Sequence, residues 1–298
     1  MFNLEIIVEI GTEEQRRLIE SELRTIEIMA GHFDPPPPIK CVIVPNDFDE
    51  KVNEIQGTNH YQSYRGGHVA VAKNVITNDG VYLVFSKLLY ADEHDNITRF
   101  QFYVHEFVHA YNKLRFPSLE TESPSRYVYL SNLYTLFDEY DANRKSFEIT
   151  ESLFPKVSHR YKLNNRRYLK SFVKSLVEDS KYFRKISNEI LKFRLCHSDV
   201  DRFLKDIDPC FDEISKSIIY TYSYTDHCLK LKKLESFIMK SKFINAKTIS
   251  LIDFYRKRFE LGDSNLIDGY ELIKGFMENF GMRFEDTPQG LYCHVLNI

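Results

Sequence analysis

The sequence predicts an α+β unit followed by an all-helical half, and three observations carry that prediction. Short β-branched runs are confined to the first 85 residues and the extreme C-terminus. Apolar residues recur at helical spacing through most of the remainder. Gly and Pro number only 11 and 10 in 298 residues, too few for a many-stranded sandwich with frequent turns. The boundary is expected near residue 155, giving units 1–155 and 156–298.

The elements follow in order. Phe2 to Ile10 is short and β-branched and reads as a strand. Thr12 opens a capping pattern, with Glu13 and Glu14 in the first turn and Gln15 three residues on. Leu18, Ile19, Leu23, Ile26 and Met29 then mark a helix ending near Gly31. Pro35 to Pro38 is a stiff extended spacer. Cys41 to Val44, Val69 to Ile76 and Val81 to Phe85 read as strands, the last two joined by a turn at Asn78-Asp79-Gly80. A helix is predicted from Ile97 to Leu114, with Asn96 as its N-cap. Pro117 and the Ser/Thr/Pro stretch to Ser125 interrupt it, and a second helix runs from about Arg126 to Leu153. Beyond Val157, helices are expected over 163–194, 199–222, 226–242, 246–260 and 264–280, with no strand before Leu291.

Composition narrows the function classes. Hydrophobic residues make up 43% and charged residues 28%, as in soluble globular domains. The net charge of −3 gives no global argument for nucleic acid, which is not an expected partner. No apolar stretch approaches the ~20 residues of a membrane span. Glu5 and Glu9 interrupt the N-terminal apolar run, so a signal peptide is not expected and a cytoplasmic location is the default. The five cysteines (Cys41, Cys196, Cys210, Cys228, Cys293) are scattered without a CxxC pair, and are read as reduced thiols.

The chemistry centres on His105-Glu106-Phe107-Val108-His109. Residues four apart share a helix face, so His105 and His109 can offer two imidazole nitrogens to one ion. Glu106 is turned by about 100° and flanks that ion, where a carboxylate can take a proton from a zinc-activated water. Ile97, Phe100, Val104, Phe107 or Val108, Tyr111 and Leu114 supply the apolar stripe that anchors the helix. A third ligand is needed. Glu139 on the next helix, His159, Asp138 and Asp141 are the candidates that position alone leaves open.

His-Glu-Phe-Val-His, paired with Glu139-Tyr140-x-Ala142-Asn143-Arg144, resembles the gluzincin type of HExxH zinc metallopeptidase. It is similar in particular to small intracellular ImmA/IrrE-like proteins, over about residues 65–150. The resemblance implies a zincin-like N-terminal lobe, a small sheet with active-site helices. It implies Zn2+ held by His105, His109 and Glu139, with Glu106 as general base and a peptide or protein as substrate. Many gluzincins carry an acid four residues after the third ligand, and here that position is Asn143. Asp138 and Asp141 are the nearby acids available to orient a ligand instead. Candidate donors to an oxyanion are His68, Tyr140, Tyr292 and His294. The alternative reading is a regulatory or binding protein on the same fold, with the helical half as its working part. Residues 156–174 hold seven Lys and Arg and no acid. The plain reading of that stretch is a solvated helix face balanced by acids elsewhere.

Overall fold

The computed structural model describes residues 4–65, 68–91, 94–156, 159–178, 180–227 and 238–298. It shows a mixed α+β protein with a small sheet and a mostly helical C-terminal half. The chain divides into two compact units, each discontinuous in sequence. One comprises Met1–Arg115 with Ala142–Arg167, the other Phe116–Asp141 with Tyr168–Ile298. The units part at 115/116, 141/142 and 167/168.

In the first unit, β1 (Glu5–Val8), β2 (Ile39–Val44), β5 (Ala72–Thr77) and β6 (Gly80–Phe85) form one sheet in the order β1-β2-β6-β5. β1, β2 and β6 are parallel, and β5 pairs antiparallel with β6 as an edge strand. A separate short pair, β3 (Tyr64–Arg65) and β4 (His68–Val69), lies between β2 and β5 in the chain. The turn from Thr77 to Gly80 matches the Asp-Gly signal. Gly80 has φ 138°, and a Cβ there would meet the Lys40 side chain at 3.0 Å.

Helices cover both faces of this sheet. α1 (Glu13–Leu23) has the predicted capping box between Thr12 and Gln15, and the chain breaks at Arg24 into α2 (Thr25–Ala30). Leu23, Ile26 and Met29 pack with Val42, Leu83 and Phe85 from the sheet and with Phe100, Val104 and Phe107 from α4 (Asn96–Arg115). On the other face Phe48 and Val52 of α3 (Phe48–Gln56) meet Val75 and Val84. α3 is an addition to the sequence reading. Asp47 caps it and Gly57 ends it in the left-handed conformation. The α4 cap is Asp95, whose Oδ1 accepts from the Thr98 backbone N–H at 2.9 Å, and Asn96 is the first helical residue. Glu22 holds α1 to α4, accepting two bonds from Arg99 at 2.7 and 2.8 Å and one from Tyr103.

The second unit packs around an aromatic and aliphatic core. α5 (Pro124–Leu153) begins with Pro at its first position, where no N–H is needed. The Asp286 carboxylate accepts from the Ser125 N–H at 2.8 Å and from the Ser123 and Ser125 hydroxyls. Those bonds hold its pKa below the ordinary carboxylate value. The predicted helix over 163–194 is two, α6 (His159–Val177) and α7 (Ser180–Arg194). α8 (Val200–His227) carries Pro209 in its interior. The helix expected over 226–242 lies largely outside the described residues. α9 (Ala246–Leu261) and α10 (Tyr270–Glu278) follow, the latter shorter than predicted. The half is not wholly helical. β7 (Met282–Thr287) and β8 (Gly290–Val295) form a closing hairpin, with Met282 and Phe284 inward and Arg283 and Glu285 outward. Among the described residues no helix is long and apolar enough to cross a membrane. The four described cysteines are free, and Cys228 lies outside the described residues.

Candidate metal centre

α4 is anchored before it is functional. Tyr103, Val104, Phe107, Val108 and Ala110 are fully buried, and Phe107 packs on Phe33 with ring centroids 4.9 Å apart. That packing sets the helix phase and with it the direction of the polar residues. His105 is half-buried and His109 buried. Their Nε2 atoms face each other at 2.9 Å, with the rings nearly perpendicular. At most one of two nitrogens in that geometry can carry a proton toward the other.

Glu139 lies on α5, three residues before Ala142, which is buried in the core of the first unit. The ligand atoms of His105, His109 and Glu139 all lie within 4.8 Å of one another. Asp138, Asp141 and His159 do not join this group among the described residues. His159 is the exposed first residue of α6. Asn143, one turn beyond Glu139, is buried. Glu139 Oε2 accepts a hydrogen bond from the Tyr220 hydroxyl at 2.8 Å, a partner 81 positions away that no spacing signals.

The donor set suits a divalent cation of borderline softness. Two imidazoles and one carboxylate are the ligand types of catalytic zinc sites, which keep a fourth position open. Zn–N bonds of ~2.0–2.1 Å in tetrahedral geometry place two nitrogens about 3.3 Å apart. A few tenths of an ångström separate that from the observed 2.9 Å. The chemistry of the residues therefore fits zinc.

Glu106, next to His105 on α4, is buried, and no spacing in the sequence signals its partners. Asn74, on the edge strand β5, donates from Nδ2 to Glu106 Oε2 at 3.1 Å. Lys113, two turns further along α4, donates to Asn74 Oδ1 at 2.9 Å. The amide is thus fixed at both ends, and one Glu106 oxygen is occupied. The polar pair Lys73-Asn74 interrupting the Val69–Ile76 run is the only trace of it in the sequence.

Of the remaining sequence candidates, Tyr140 donates from its hydroxyl to Asp226 at 2.7 Å, and Arg256 holds the same carboxylate with two bonds. His294 on β8 pairs with Glu285 across the hairpin, and Tyr292 is exposed beside it. His68 opens β4, and its side chain lies outside what the structure describes. No family model, curated protein or solved structure matches this chain.

Proposed function

We propose that the chain is a zinc-dependent metallopeptidase of zincin-like fold, with His105, His109 and Glu139 as ligands and Glu106 as general base. The observation that carries this reading is the convergence of three ligand atoms within 4.8 Å, with the buried Glu106 next to His105 in the chain. Zinc bound by three protein ligands supplies Lewis acidity and an acidified water. The two imidazoles bind as neutral nitrogens and Glu139 as an anion. Glu106 takes the proton. Its Oε2 accepts from Asn74, which leaves Oε1 to receive that proton and pass it to the leaving amine. Asn74 and Lys113 orient the carboxylate and move no proton themselves. The edge strand β5, carrying Asn74, supplies backbone groups along which an extended peptide can pair.

The test is metal content and peptide hydrolysis measured together. Wild-type protein should hold one zinc per chain, and His109→Ala and Glu139→Ala should each lose it. Glu106→Gln should keep zinc while hydrolysis falls roughly 10²–10⁴-fold, the usual worth of a general base. Zinc-free wild type would remove the reading. Full zinc with no hydrolysis by either form would favour a binding protein on the same fold.

A further inference from the structure

α6 carries a second kind of chemistry on its outward face. Lys156, just before the helix, and Arg160, Lys162, Arg166, Arg167, Lys170 and Lys174 are all exposed. At 100° per residue, Arg160, Arg167, Lys170 and Lys174 fall in a stripe roughly 80° wide and about 21 Å long, with Arg166 about 40° beyond one edge and Lys162 about 80° beyond it. Reading this stretch as an ordinary solvated face requires acids that balance it. Lys174 has one, Glu178, at 3.7 Å. Arg160, Lys162, Arg166, Arg167 and Lys170 make no ion pair or side-chain hydrogen bond to a described residue. The imbalance extends beyond the helix. Residues 156–194 hold twelve Lys and Arg against three acids, in a chain of net charge −3. Such local asymmetry marks a surface built for an anionic partner.

What lies between the cations selects the partner. Tyr161 is buried and Tyr168 half-buried, so neither offers a ring on which an unpaired base could stack. The helix spends its apolar side on the protein itself, through buried Leu169, Val173 and Leu176, and buried Asn164 donates to Thr98 of α4. Only Leu163 and Val177 remain as exposed aliphatic side chains on α6. That is too little apolar surface for a helix lying in a lipid interface, which buries a whole apolar face. It also lacks the aromatic anchors typical of protein interfaces. A linear array of unpaired cations suits a regular array of phosphates, whose recognition needs charge and no base contact.

We propose that the outward face of α6 docks the sugar-phosphate backbone of a nucleic-acid duplex, without sequence preference. Fluorescence anisotropy with labelled duplexes of arbitrary sequence tests this, using DNA and RNA of about 20 base pairs between 50 and 200 mM salt. With about five phosphates neutralised, affinity should fall roughly 10²–10³-fold across that range, a log–log slope near −4.5. The triple variant Arg166→Gln, Arg167→Gln, Lys170→Gln should keep its circular dichroism spectrum and bind with a slope shallower by about 3. Binding to either duplex with that loss supports the proposal. Failure to bind both duplexes at 50 mM overturns it, as does undiminished binding by the folded variant. Vesicles of anionic phospholipid serve as the competing arm. Binding to them without binding to duplex also overturns it.

Discussion

Helices α4 and α6 are nearly equal in length, 20 and 19 residues, and both are amphipathic, yet they use polar residues in opposite ways. α4 turns Gln101, Glu106, His109 and Asn112 inward among fully buried apolar neighbours. α6 turns its cations outward and leaves five of them unpaired among the described residues. A buried polar group is costly without partners, and on α4 Glu106 is matched to Asn74 and His109 to His105. An exposed cation needs none, so α6 acts by the number and spacing of its charges. One helix is specified by individual geometry and the other by a sum.

That contrast can be broken from the α4 side first. Phe107→Ala deletes a fully buried ring packed on Phe33 and should cost about 3–5 kcal/mol of stability in a denaturant titration. The same experiment on Arg167→Gln, on the outward face of α6, should move stability by no more than about 0.5 kcal/mol. A cost above about 2 kcal/mol there would mean that α6 is built like α4. Next in size, Asn74→Ala should lower hydrolysis about 10–100-fold while zinc stays bound, since the residue orients Glu106 and is not a ligand. The readout should be kcat beside zinc content in the same samples. Hydrolysis that falls only in step with lost zinc would instead assign Asn74 a purely structural role. The smallest effect is expected from Lys113→Met, which removes the donor behind Asn74 but leaves the Asn74–Glu106 bond in place.

Several features were legible because they rest on local rules. The Thr12–Gln15 capping box, the Asp-Gly turn before β6 and the helix bearing His105 and His109 each depend on residues within a few positions of one another. The Asp47-Phe48 start and Gly57 stop of α3 belong to the same local class and were equally readable. The β7 strand was harder. Its alternation spans only Met282 to Glu285 before the pattern lapses, directly after a helix. The double use of α5 could not be read at all. Its apolar residues follow one helical period, and nothing in that period says that Leu130 and Phe137 enter one core and Ala142 another.

The sequence by itself determined the helical phase of His105 and His109, the offset of Glu106 between them and the basic run of α6, because a helix converts spacing into direction. It also narrowed the third ligand to a handful of residues. Only the tertiary structure brought Glu139 into reach of the two histidines, set Asn74 against Glu106 and Tyr220 against Glu139, and left five α6 cations without an acid among the described residues. Those pairings join residues from about 30 to more than 80 positions apart. They follow from how helices and sheet pack, and no local periodicity encodes that.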